Sequence, residues 1–283
     1  MPSADSNPAT FEQMIWQDDR MLLGDLVFRL QHTRDDSSWD LGDQCFVFYK
    51  VKPLVDQYEC FWRSRPEFRP QHIFELGLWD GGSLAFWFEL FQPRKHVGLD
   101  FAQRDDSPYF KRYLASRGLE GRIVTYWGVN QADAARLRAI AKEFDGPLDL
   151  VLDDASHMYG PTKASFETLF PLLRPGGLYI IEDWAWAHWK EFQTPNHPWA
   201  TETPLTRLIY ELVAAAGSAP DLIANVTVFQ GFVAIERGPN RLDQQAGFVL
   251  DRFISNRPRP SIARRLARAA KRFVRRAFPR RNR

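Results

Sequence analysis

Two short apolar runs, Leu150-Val151-Leu152 and Leu178-Tyr179-Ile180-Ile181, each lead directly into a pair of acids, with a segment of helical length between them. That stretch, residues 148–186, narrows the possible folds more than any other. Apolar runs without alternation suit strands buried on both faces of a parallel sheet. Between them Phe166, Leu169, Phe170, Leu172 and Leu173 recur at helical spacing, and Pro175-Gly176-Gly177 stops the helix. The unit reads as strand, helix, strand.

In an open parallel sheet, ligands sit beyond the carboxyl ends of the strands. Asp153, Asp154, Glu182 and Asp183 emerge there, together with His157. Acids so close together raise one another's pKa and repel. A hard divalent cation with oxygen ligands, Mg²⁺ first, is the simplest neutraliser. Taken singly, each residue has a plainer role: Asp153 can cap a turn, Glu182 can pair with a basic residue, and His157 can be a satisfied side chain. The constellation favours a site.

Upstream, a strand at residues 72–76 runs into Glu75-Leu-Gly77-Leu-Trp-Asp80-Gly81-Gly82-Ser83 and then an apolar helical stretch. Glycine in this turn lets backbone approach a ligand, and the helix that follows presents free N–H groups. The next strand, residues 96–100, ends in Asp100, placed to hydrogen-bond ribose hydroxyls. The turn lacks the Gly-x-Gly-x-x-Gly pattern of a dinucleotide site, and Glu75 and Asp80 disfavour an anion while tolerating a cationic or zwitterionic ligand. A third strand at residues 122–126 precedes Gln131 and Asp133, which can reach an adenine or a metal-site water; Asp133 can equally cap the following helix. A helix at residues 204–216 and a hairpin at residues 222–237, turning near Gln230-Gly231, complete the pattern. The expected fold is α/β: a doubly wound, Rossmann-like seven-stranded sheet with a C-terminal antiparallel hairpin.

At 283 residues, with 45% hydrophobic and 25% charged content, the chain can bury an ample core. Residues 1–10 read as a disordered start, residues 11–70 as a helical extension or lid, residues 71–240 as the main domain, residues 241–260 as a linker, and residues 261–283 as a tail. No run is long enough to span a bilayer and the start lacks signal-peptide character, so a cytoplasmic location is expected. Cys45 and Cys60 are too few for a disulfide framework. The net charge of +2 conceals an asymmetry: residues 257–283 hold 12 basic side chains and no acid, leaving 25 basic against 35 acidic residues upstream. An acidic body lacks a phosphate-tracking groove, which argues against nucleic acid as a partner.

With these motifs in view, residues 72–237 resemble a class I S-adenosylmethionine-dependent methyltransferase. Glu75-x-Gly77-x-x-x-Gly81-Gly82-Ser83 matches the first motif, Asp100 the ribose-binding acid, and Leu172-Leu-Arg-Pro-Gly-Gly-Leu178 the turn before the fifth strand. Asp153-Asp-Ala-Ser-His157 with Ile181-Glu-Asp183 resembles the metal-dependent O-methyltransferases acting on sugars of macrolides and other glycosides. The resemblance implies S-adenosylmethionine held by Glu75, Gly77, Gly81, Gly82, Ser83, Asp100, Gln131, Asp133 and Asp153. It also implies Mg²⁺ or another divalent cation on Asp154, Glu182 and Asp183, with His157 as general base. Whether Asp153 or Asp154 takes the metal stays open, since catechol-type relatives place a ligand one step nearer the strand. A phenol acceptor, or a protein resembling cephalosporin hydroxylases, shares much of the pattern.

A sugar hydroxyl is a poor nucleophile, so it must be polarised and deprotonated as it attacks. Metal coordination lowers its pKa and a neutral His157 accepts the proton, so activity is expected to rise with pH as the imidazolium deprotonates. Trp184, Trp186, Trp189 and Trp199 follow the acid pair closely and can stack on an acceptor or pack as core. In the tail, Ile262, Leu266, Ala269, Ala270, Phe273, Val274 and Ala277 share one helical face among arginines, the pattern of a basic amphipathic helix. That pattern suggests peripheral contact with an anionic membrane and access to a lipid-linked glycoside acceptor. A homo-oligomer is compatible with the N-terminal extension.

Overall fold

The structure is a computed structural model and describes residues 8–30, 44–242 and 247–256. Residues 11–30, expected as helix, instead carry three antiparallel strands: β1 (Met14–Trp16), β2 (Arg20–Leu23) and β3 (Leu26–Leu30). Met21, Leu23, Leu26 and Phe28 are buried. Two residues, Gly24 and Asp25, connect β2 to β3, and Gly24 takes a left-handed φ of +61° that such a tight turn favours. The neighbouring pairs Met14-Ile15 and Met21-Leu22 imitate helical spacing and hide the alternation. β4 (Phe46–Phe48) then pairs parallel to β3 and completes a small four-stranded sheet.

The only α-helix in the described part of the extension is α1 (Lys52–Arg63). Pro53 lies in its first turn, where a missing N–H costs little. Val55, Tyr58, Phe61 and Trp62 form its buried face, and Tyr58 stacks on Phe232 with ring centroids 4.1 Å apart. Residues 8–10 are tied down too, because the Ala9 N–H donates to the Glu89 carbonyl. Residues 1–7 of the expected disordered start lie outside the described residues, as does the basic tail at residues 257–283.

The main sheet follows the expected plan. In chain order its elements are β5 (His72–Leu76), α2 (Gly82–Phe91), β6 (Lys95–Leu99), α3 (Pro108–Arg117), β7 (Ile123–Tyr126), α4 (Ala134–Ala141), β8 (Leu148–Asp153), α5 (Tyr159–Leu169), β9 (Leu173–Glu182), α6 (Thr206–Ser218), β10 (Ile223–Val228) and β11 (Phe232–Arg237). The spatial order is β10-β11-β9-β8-β5-β6-β7. The five strands from β5 to β9 run parallel, and β10 and β11 close one edge antiparallel. β9 begins earlier than the apolar run suggests, so Pro175-Gly176-Gly177 lies within that strand, near a register irregularity against β8. α5 ends sooner, at Leu169.

Strand order reverses at β5, which has β6 on one side and β8 on the other. The chain leaves β5 and β8 side by side at Gly77 and Asp154, and the Asp154 N–H donates to the Leu76 carbonyl at 2.9 Å. Such a switch point opens a crevice at the carboxyl ends. One apolar core lies between the sheet, α1, α2 and the N-terminal strands; the other faces α4, α5 and α6. Part of the expected linker belongs to the second core: Leu250 is buried and its N–H donates to Glu167. Among the described residues, no helix is long and apolar enough to cross a membrane.

Candidate active site

A cavity of about 770 Å³ opens at the switch point. Of the residues expected to hold a cofactor, Gly77, Ser83, Asp100 and Gln131 line it. Gly77 has φ +91°, and a Cβ there would collide with the Asp154 carbonyl, so the position demands glycine on both counts. Asp100 Oδ2 accepts the Leu78 and Trp79 N–H groups at 2.9 and 3.0 Å, and Oδ1 accepts Ala102 N–H at 2.7 Å. The loop after β5 is thereby folded around one carboxylate.

The other expected residues are elsewhere. Glu75 is buried beside His96, with Oε2 3.0 Å from Nε2. Gly81 and Gly82 sit at the start of α2 and support packing: Phe110 lies against the first, and β4 passes close to the second. Asp80 accepts the Val47 N–H at 2.6 Å and the Gly82 N–H at 3.0 Å, joining the small sheet to this turn. Burial pushes its carboxyl up to about 7. Asp133 caps α4 by accepting the Arg136 N–H and does not line the cavity.

Asp153 and Asp154 separate cleanly. Successive residues leaving a strand point to opposite sides. Asp153 turns inward, accepting Tyr179 Oη–H and Ser165 Oγ–H, each at 2.7 Å, and Gln131 Nε2–H at 3.1 Å. Desolvation pushes its carboxyl up, against the pull of those bonds. Asp154 turns to the cavity. There Asp154, His157 and Asp183 each offer a ligand atom, all lying within 4.8 Å of one another. His157 Nε2 is 3.9 Å from Asp154 Oδ1.

Two of these three residues are backbone outliers. His157 and Asp183 adopt φ of +56° and +51°, in the left-handed region that non-glycine residues seldom enter. Neighbouring bonds hold both turns: Trp186 Nε1–H donates to the His157 carbonyl at 2.8 Å, and the Asp183 N–H donates to the Gly231 carbonyl at 2.9 Å. Burial raises the Asp183 carboxyl, with His157 acting in the opposite direction.

Glu182 does not face that trio. Its carboxylate is buried and accepts Lys50 Nζ–H at both oxygens and Tyr58 Oη–H at one, all at 2.7 Å. Burial and Asp154 push its pKa up, while Lys50 opposes the shift. Lys50 was not anticipated. It also donates to Asp154 Oδ2 at 2.7 Å, its side chain is only 4% exposed, and the two carboxylates keep it protonated despite burial. The available signal was a lone lysine at the end of Phe46-Val-Phe-Tyr49, where an apolar strand would carry it indoors.

The tryptophans after the acid pair are mostly structural. Trp186 is buried, Trp184 donates to the Phe229 carbonyl, and Trp199 packs edge-on against Trp186. None of the four lines the cavity; Phe192 from the same loop does. Its aromatic wall comes instead from Tyr49 and Trp79, set edge to face at 5.2 Å, with Arg104 4.9 Å from the Trp79 ring centre.

A doubly wound seven-stranded sheet with this terminal antiparallel hairpin is a Rossmann-like fold of the methyltransferase type. Residues 74–184 match the family described as a methyltransferase domain. It is similar to the 8-demethyl-8-(2-methoxy-alpha-L-rhamnosyl)-tetracenomycin-C 3'-O-methyltransferase of Streptomyces olivaceus, with 31% identity over 70% of this chain and 52% of the relative. It is also similar to the mycinamicin VI 2''-O-methyltransferase of Micromonospora griseorubida, with 41% identity over 42% of this chain and 29% of that protein. Among solved structures, the MycE methyltransferase of the mycinamycin biosynthetic pathway, in complex with Mg, SAH and mycinamycin VI, is 30% identical. That match covers 71% of this chain and 53% of the other, with a TM-score of 0.50. The chain thus spans about half the length, or less, of the curated relatives it matches.

Proposed function

We propose that this protein transfers a methyl group from S-adenosylmethionine to a hydroxyl of a glycoside, with a divalent cation, Mg²⁺ first, at the acidic rim. The observation that carries this reading is one cavity with Asp100 at one side and Asp154, His157 and Asp183 at another. Asp100 uses three of its roughly four acceptor sites on backbone N–H groups, which leaves capacity for a ribose hydroxyl and fixes the carboxylate's direction. Phe101, 73% exposed beside it, offers a flat face to a base.

The carboxylates of Asp154 and Asp183 are oxygen donors that fit a hard divalent cation, with His157 close beside them. Such a cation would lower the pKa of an acceptor hydroxyl and reduce repulsion among the acids. Asp154 and Asp183 would hold it, and His157 Nε2 would take the hydroxyl proton. Glu182 supports Asp154 from behind through Lys50 and is assigned no direct ligand role. Tyr49 and Trp79 would exclude water and give the sugar and its aglycone an apolar wall. The relatives' sugar acceptors support a glycoside over a simple phenol.

The decisive experiment is calorimetric titration of the full chain with S-adenosylmethionine and S-adenosylhomocysteine, with Mg²⁺ or with EDTA, followed by glycoside and phenol acceptors. Binding of both nucleosides and methylation of a glycoside are expected. Failure to bind either under both conditions would sink the proposal. The basic residues 257–283 further support a location near anionic lipid on the cytoplasmic side, where lipid-linked glycosides are among the acceptors to screen.

A further inference from the structure

We infer that Lys50 is a positioning residue that presets the acidic rim, holding Asp154 and Glu182 in place before any cation arrives. The inference rests on the metal-assisted reading above and concerns a side chain outside residues 74–184, the matched region.

Lys50 leaves β4 at the point where the small sheet meets the main one. Its ammonium reaches residues 104 and 132 positions away in the chain, at Asp154 and Glu182, and all three of its N···O distances are 2.7 Å. An ammonium has three donors. Tyr58 supplies Glu182 with a third bond, so that carboxylate is committed inward.

The consequence for Asp154 is directional. Oδ2 is taken by Lys50, which turns Oδ1 toward His157 and the cavity. One oxygen is an anchor and the other is available as a ligand. Without Lys50, three acids would crowd a largely buried rim, and unpaired buried charge is strongly destabilising.

A lysine that merely filled space would matter equally with and without a cation. One that presets the acids matters most when the cation is absent. The test is thermal unfolding of the full-length wild type, Lys50→Met, Lys50→Arg and the double variant Lys50→Met/Glu182→Gln, each in EDTA and in saturating MgCl₂. In EDTA, Lys50→Met is expected to melt about 10 °C below wild type, and Mg²⁺ is expected to recover more than half of that loss. Lys50→Arg keeps the charge and is expected to fall between the two. Removing the stranded Glu182 charge should bring the double variant within a few degrees of wild type in EDTA, while its Mg²⁺ affinity, read by calorimetry, drops at least tenfold.

An equal loss in EDTA and Mg²⁺, or no loss, overturns the inference. If Lys50→Met does not fold, the double variant decides: Mg²⁺ affinity unchanged from wild type overturns it as well. Absence of any Mg²⁺ response in wild type removes the metal reading and this inference together. S-adenosylmethionine binding by the same proteins, which depends on Asp100 at the other side of the cavity, then reports on the methyltransferase reading alone.

Discussion

Two side chains of the cavity, His157 and Asp100, and one buried acid of the turn before α2, Asp80, each have a separable signature. His157 sits at the rim with its backbone held in a left-handed turn, so His157→Ala removes the proton acceptor without touching the Asp100 side. Single-turnover methylation should slow by about 10²–10⁴-fold, with S-adenosylmethionine affinity unchanged by calorimetry. Asp100→Ala should do the opposite first. It releases three backbone N–H groups and a ribose acceptor, so cofactor affinity should drop about tenfold to a hundredfold. Asp80 makes its contribution through pH. Burial pushes its folded-state pKa up to about 7, well above the ordinary aspartate range, so the native state holds the proton more tightly than the unfolded chain. Stability should therefore fall as pH rises from about 4 to about 7. Comparing melting curves over that window, Asp80→Asn should have a shallower slope than wild type; an unchanged slope would count against the assignment.

At the scale of elements, the β5–β8 crevice depends on the backbone at Gly77. Gly77→Ala adds a methyl against the Asp154 carbonyl and forces a side chain into φ +91°. A loss of at least about 2 kcal/mol in denaturant unfolding is expected. The parallel strands were legible in the sequence because burial on both faces leaves continuous apolar runs, as at Leu150-Val-Leu152. The acids after β8 and β9 were legible for the related reason that charge follows where such a run ends. The N-terminal sheet was not. Its strands are only three to five residues long, and paired apolar neighbours such as Met21-Leu22 give no clear period. Missing β4 meant missing Lys50, because a helical extension over residues 11–70 gave no reason to turn that lysine inward. Glu182 and Asp183 could not be told apart by type; the turn at Asp183, tied to Gly231, decides which of them faces the cavity.

At the scale of the whole molecule, the chain joins an acidic body to a strongly basic end. Residues 257–283 lie outside the described structure, but their 12 positive charges without an acid should drive salt-sensitive binding to anionic vesicles. Co-sedimentation with phosphatidylserine-containing liposomes should be strong at low salt, weaken as salt increases, and vanish on deletion of these residues. Retention by the shortened chain would place the contact elsewhere.

The Lys50 bridge also changes what counts as a separable part. The matched region begins at residue 74, yet a cation pairing with two of its acids arrives from residue 50. Exchanging catalytic domains among relatives at that boundary would therefore unite acids shaped by one ancestor with a leading segment shaped by another. Successful chimaeras should be those whose crossover lies before β4, so that the lysine and its carboxylates are inherited together.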